Sequence, residues 1–250
     1  MDYYLTENIF FRENKMYHTI KSKEKQITST NWHTALSEYG WSKIPLPWIK
    51  RLNVLSLTKT KNSCFGILDC ESDGNCFFHC ISNAINENNI LNNDSEQPEQ
   101  PEQTDYNDIR NQLAESISEE SYKTMINYYR IMKDADDFDE EWDPYDIQCL
   151  EDFKNQLRKS GHNYWGDYIL LNNVIQILNL NIFILNYNET EKDYTIYNTL
   201  IDFNSDYDSI FLLYEEECHF KLIGYFNGDR IISYFTDNIP IELLRLYKLR

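Results

Sequence analysis

The sequence predicts a mixed α/β domain of the α+β kind, with helices and short strands sharing one core, and three observations carry that prediction. The run Cys64-Phe65-Gly66-Ile67-Leu68 is short and apolar enough for a buried strand. After the turn residues Asp73-Gly74-Asn75-Cys76, the apolar residues Phe77, Ile81, Ala84 and Ile85 recur at helical spacing. Further along, runs at 182–185, 210–214 and 219–226 read as strands and alternate with helical stripes.

Taken in order, residues 1–58 mix aromatic and polar side chains, and Trp32, Trp41 and Trp48 read as core packing. Pro45 and Pro47 predict an extended stretch from Ile44 to Trp48. The repeat Glu-Gln-Pro-Glu-Gln-Pro-Glu-Gln at 96–103 cannot bury a core and is expected to be a mobile loop. Thr104 or Asp105 caps a long helix through about Lys133, with Ile109, Leu113, Ile117, Tyr122, Met125 and Tyr129 as its stripe. The acidic run Asp134–Asp143 reads as a solvated, disordered loop. Ile147, Leu150, Phe153 and Leu157 form the next helix, stopped by Gly161, and Tyr168, Leu171, Val174, Ile175 and Leu178 form another. Strands are also expected at 194–200 and 231–235, and Pro240 opens a last helix from Ile241 to Tyr247.

The chemistry concentrates at Cys76, which opens a helix directly after a turn. Unpaired N–H groups and the helix dipole favour an anion there, so the thiol is expected to ionise more easily than a free cysteine. Gly74 permits whatever turn exposes the sulfur, and the N–H groups of the Asp73–Cys76 turn are suited to an oxyanion. Thiolate cleavage of an amide also needs a base that takes the sulfur's proton and returns it to the leaving amine. His219, at the start of a strand, is the best candidate; His79, one turn beyond Cys76 on the same helix, reads as packing or polar surface.

The stretch Asp73-Gly74-Asn75-Cys76-Phe77-Phe78-His79 resembles the signature of the ovarian-tumour (OTU) cysteine proteases. Two later blocks occur in the order that family shows: Tyr164-Trp165-Gly166-Asp167 before a helix and strand, and Ile210–Tyr214 leading through Glu215, Glu216 and Glu217 to Cys218-His219-Phe220. The resemblance spans about residues 60–226 and implies a papain-like fold, a small central sheet flanked by helices. It divides the chain into an extension at 1–58, a catalytic domain at 59–226 and a strand and short helix at 227–250 packed on it.

It also implies a deubiquitinase that cleaves isopeptide bonds after the terminal glycine of ubiquitin. Cys76 is then the nucleophile and His219 the base, with Asp73 holding the turn. Gly74 and Asn75 form the oxyanion turn, and Trp165, Gly166 and Glu217 line the channel for the ubiquitin tail, the first two bracing the catalytic centre. Many relatives orient the histidine with an Asn or Asp two residues after it; here that position is Lys221, whose ammonium has no lone pair to accept the imidazole proton. The third residue must come from another segment, or the enzyme works as a dyad. The rival readings are a catalytically silent ubiquitin-binding module and a thiol protease acting on other peptides.

Composition narrows the alternatives. A net charge of −18 argues against nucleic-acid binding and favours a basic partner such as the arginine-bearing ubiquitin tail, with Glu215–Glu217 as a local attractor. Only residues 43–61 are locally basic, and they read as solvated surface. No apolar run is long enough to span a membrane and the first residues lack a secretory pattern, so a cytosolic monomer is expected. Six irregularly spaced cysteines do not read as a disulfide framework, and Cys64, Cys70, Cys76 and Cys80 lack paired zinc spacing, so neither metal nor cofactor is expected. Cys149 and Cys218 read as small buried side chains. Abundant Asn, Ile, Tyr and Lys fit an AT-rich coding genome, such as that of a large DNA virus or an intracellular bacterium.

Overall fold

A computed structural model describes residues 2–57, 64–71, 73–92, 103–138, 140–167, 169–197, 202–216 and 218–249. The repeat expected to be mobile lies outside them except for Gln103, as do residues 198–200 of one expected strand.

The N-terminal residues form an antiparallel meander of β1 (Tyr3–Tyr4), β2 (Ile9–Arg12), β3 (Lys15–Ile20) and β4 (Lys23–Gln26). Its two tight turns put Glu13-Asn14 and Lys21-Ser22 at positive φ, the pairing that matches the twist of a hairpin. After α1 (Trp32–Ala35) the chain adds β5 (Trp41–Lys43) to the edge of the main sheet and turns into α2 (Leu46–Leu55). The stretch at Pro45 and Pro47 is therefore not extended throughout. Pro45 flanks the helix and Pro47 sits in its first turn, where a missing N–H costs nothing.

The main sheet continues with β6 (Phe65–Asp69), β7 (Leu180–Tyr187), β8 (Ile196–Tyr197), β9 (Asp208–Glu215) and β10 (His219–Phe226), in the order β5-β6-β10-β9-β7-β8. Only β7 and β9 pair in parallel; the other neighbours are antiparallel. The expected strand at 231–235 is two short pieces, β11 (Ile231–Ile232) on β10 and β12 (Tyr234–Phe235) on β9. Ser233 between them is buried and its hydroxyl bonds Glu87.

Period-two alternation divides the core. Ile210 and Leu212 of β9 face one cluster with α3 (Cys76–Asn92), α4 (Tyr106–Ser116), α5 (Glu119–Asp134), α6 (Leu150–Arg158) and α7 (Leu171–Leu178). Phe211 and Leu213 face the other, covered by α2 and α8 (Ile241–Tyr247). The helix expected from 104 to 133 is broken in two. Ile117 is extended, and Ser118 accepts the N–H of Ser121 as a fresh cap, a start signal that the apolar stripe concealed.

The acidic run at 134–143 is also not a free loop. Trp142 is buried and the Glu140 carboxylate accepts its indole N–H at 2.6 Å. Cys149 and Cys218 are exposed, correcting their reading as buried: one caps α6 and the other lies in the β9–β10 turn. All six cysteines are free.

Trp32, Trp41 and Trp48 are buried, so the first 58 residues contribute a strand and core side chains to the sheet that carries the later motifs. Trp48 also donates its indole N–H to the Asn186 carbonyl at 2.9 Å. Trp48→Ala is expected to cost roughly 3–5 kcal/mol in urea denaturation, within one cooperative transition, because it opens a cavity and strands that carbonyl.

Candidate active site

Three elements meet at Cys76. Strand β6 ends at Asp69, the turn reverses, and α3 begins at Cys76 with its first turn packed on β10. Gly74 sits at φ +82°, and a Cβ there would lie 2.5 Å from the Gly161 backbone, so only glycine allows this turn.

Asn75 is buried and makes the turn rigid. Its backbone N–H and side-chain amide donate to the two oxygens of Asp73 at 2.9 and 2.8 Å. Its own oxygen accepts from Arg110 at 2.6 Å and from the Gly161 N–H at 3.1 Å. Burial opposes ionisation of Asp73, but the bonds from Asn75 and His79 outweigh it and hold the carboxyl below its ordinary range. Because the Asn75 N–H is spent on Asp73, it is withdrawn from an oxyanion, and the N–H groups of Gly74 and Cys76 are among the turn's donors that remain. His79 lies 3.4 Å from Asp73 and packs on Tyr106, which is the polar packing role read for it.

The Cys76 thiol is buried, and that overturns the expectation of an easily ionised sulfur. Desolvation pushes it up to about 11, against the opposing pull of the Phe220 and Phe77 N–H groups. Phe220 N–H donates to Sγ at 3.4 Å, so β10 is bound directly to the sulfur one residue beyond His219. His219 Nε2 lies 3.0 Å from Asp69 Oδ1, so the contact to the carboxylate is made by Nε2 and not by Nδ1.

Asp69 is the carboxylate against His219 that sequence reasoning missed. It stands directly across from Lys221 in the β6–β10 ladder, and His219 lies two residues along the same face. Lys221 Nζ contacts Asp69 at 3.7 Å and Glu215 at 2.6 Å, so the side chain that cannot accept a proton instead anchors the carboxylate that can. Glu216 accepts the Glu189 N–H at 2.9 Å, and Glu217 lies outside the described residues.

The Tyr164–Asp167 segment braces this centre. A Cβ on Gly166 would lie 2.7 Å from Phe77, so the glycine lets the segment close on the nucleophile helix. The N–H of Trp165 donates to Glu140 at 3.1 Å, and the ring rests near His162. Tyr129 and Tyr164 share a hydroxyl bond of 2.6 Å, and Tyr129 also donates to Asp167. Arg110 joins α4 to the catalytic turn; it too was missed, because an arginine on an apolar stripe carries no local signal of burial. Glu71, Asp73 and His79 bring one ligand atom each within 4.8 Å of one another.

A turn-borne thiol, and on the strand bound to it an imidazole backed by a carboxylate, are the side chains that a cysteine-protease type of centre uses. Residues 71–220 match the family of OTU-like cysteine proteases, and the chain belongs to that family. Among solved structures it is similar to an OTU domain in complex with ubiquitin, at 15% identity over 73% of this chain and 81% of that one, with a TM-score of 0.42. It is also similar to the viral OTU protease of Farallon virus, at 17% identity over 66% and 86% of the two chains (TM-score 0.41). The ubiquitin-bound OTU of Hazara virus aligns at 15% identity over 68% and 82% (TM-score 0.35). No curated protein matches the chain.

The buried acids around the site set a pH dependence. Desolvation raises Glu140 to about 7, with Asp167 adding to the rise and Arg110 opposing it; Glu87 rises to about 7 and Asp167 to about 6. At these three groups the folded state holds protons that the unfolded chain releases, so their contribution to stability is full below about pH 4.5 and falls as pH rises towards about 7, opposite in sign to that of Asp73. Glu140→Gln keeps an oxygen for both N–H donors and is expected to remove about 1–2 kcal/mol of that loss, allowing for partial exposure. Thermal melting at pH 5, 6, 7 and 8 checks this: the variant gains on the wild type only towards the alkaline end.

Proposed function

We propose that this chain is a deubiquitinase, a thiol-dependent hydrolase that cleaves the isopeptide bond after the terminal glycine of ubiquitin. The observation that carries the reading is the joint between α3 and β10, where the Phe220 N–H donates to the Cys76 sulfur and the residue before it in the strand, His219, meets Asp69. Membership of a family whose members are deubiquitinases supports the substrate.

The sulfur attacks the glycine carbonyl as its proton passes to His219 Nδ1, and the oxyanion takes the N–H groups of Gly74 and Cys76. Collapse breaks the carbon–nitrogen bond, and His219 returns the proton to the departing lysine amine. Water, deprotonated by the same imidazole, then hydrolyses the thioester. Burial favours the neutral thiol before substrate binds, so in this reading its proton leaves as the sulfur attacks. Asp69 accepts from Nε2–H, holds the ring in the useful tautomer and stabilises the imidazolium. Reduced Cys76 is required, so a reducing cytosol is the expected setting, with ubiquitin or polyubiquitin as partner and a monomer as the working form.

Incubation with ubiquitin carrying a C-terminal electrophile, followed by peptide mapping, tests the proposal. An adduct on Cys76 is expected, absent in Cys76→Ala and slowed in His219→Ala. No adduct from folded protein would favour the silent module, and turnover of peptides lacking the Gly-Gly tail would favour the broader protease. Asp69→Asn is expected to lower kcat by roughly 100-fold or more with little change in KM, because the amide no longer stabilises the imidazolium.

A further inference from the structure

Arg110 is wholly buried and none of its hydrogen bonds goes to a carboxylate among the described residues, although Asp73 and Glu140 act on its charge from a distance. Its donors go to neutral oxygens instead: Asn75 Oδ1 at 2.6 Å, the Tyr164 carbonyl at 2.8 Å, the Leu157 carbonyl at 3.2 Å and the Gly74 carbonyl at 3.4 Å. The guanidinium carbon lies 4.2 Å from the centre of the Phe78 ring, and Nε has no partner. Isolating a cation in this way costs several kcal/mol, which a purely structural clamp does not require. Two of its four acceptors belong to the turn that precedes the nucleophile. A third belongs to Tyr164, whose segment closes on α3 through Gly166.

We propose that Arg110 is a positioning residue for the thiol chemistry, which aims the Gly74 and Cys76 N–H groups by gripping Asn75 and the Gly74 carbonyl and keeps a buried positive charge against the turn that precedes the nucleophile. The grip acts through geometry. With Asn75 Oδ1 fixed, its amide stays on Asp73 and the turn cannot rotate its donors away. The charge acts through the field: in a dry interior a buried cation is screened weakly, and although Asp73 and Glu140 share its field it favours both thiolate and oxyanion. Burial draws the guanidinium down to about 10, so it stays charged at neutral pH.

This inference deepens the deubiquitinase reading, and its test separates the two. The pH–rate profile of Cys76 alkylation by iodoacetamide needs no ubiquitin, whereas kcat and KM are read on a ubiquitin conjugate. Arg110→Met is expected to raise the apparent thiol pKa by about one unit and to lower kcat on the order of 100-fold, with KM within about threefold. Arg110→Lys keeps the charge but cannot reach all four oxygens, so the wild-type alkylation profile is expected with only part of kcat restored. Folded Arg110→Met with an unshifted profile and unchanged kcat overturns the proposal, as does a loss confined to KM. Should both Arg110 variants fail to fold, Asn75→Ala decides: a kcat fall of similar size supports the grip, and an unchanged kcat overturns it. If the wild type turns over no ubiquitin conjugate, the substrate reading fails, and the alkylation profile alone still judges Arg110.

Discussion

The register between β6 and β10 is the constraint on which the site depends. Leu222 pairs with Leu68 and Lys221 with Asp69, and the β10 residues Phe220 and Leu222 point into the core beneath α3. A slip of one residue would exchange the two faces of β10, turning His219 inward and exposing Phe220. The packing that seats Phe220 against Phe77, with ring centroids 5.2 Å apart, is therefore the packing that keeps the imidazole at the surface beside Asp69. Core and catalysis are not separable here, because alternate residues of one strand serve each.

That seating also explains why the sulfur behaves against its local setting. A thiol at a helix start should be acidic, but this one is pressed against β10 and shielded from water, and desolvation outweighs the two N–H donors aimed at it. The thiol is therefore neutral at rest, while the imidazole of the neighbouring strand is engaged through Nε2 with Asp69. Fixed donors for negative charge are in place before any charge exists, and an arrangement of that kind stabilises a transition state more than a ground state.

Much of this was legible in the sequence, and the failures share a cause. Strand β10 and helix α8 fall where periodicity put them, and Cys76 opens its helix as the turn chemistry indicated. Local patterns suffice where one face is buried and the caps are strong. Asp69 was invisible because its role arises from a cross-strand pairing over 150 positions, and Lys221 was read for what it cannot accept rather than for what it can hold. Glu140, Trp142 and Arg110 were misread or missed for the same reason: burial of a polar group is decided by distant partners. The prolines at 45 and 47 failed differently, because the residue that forbids a helix interior also begins a helix well.

The acidic balance of the chain acquires a different meaning once these contacts are drawn. Of the glutamates before the histidine, Glu215 is held by Lys221 and Glu216 caps the turn at Glu189, so both are engaged within the molecule. A carboxylate already paired must be freed before it can grip a partner's arginine, and an exposed pair formed in exchange gains little. Any electrostatic pull on a basic partner then rests on the net charge of −18 over the whole chain more than on Glu215 and Glu216. A field of that kind quickens encounter and weakens with salt, while leaving orientation in the site to the backbone donors of the catalytic turn.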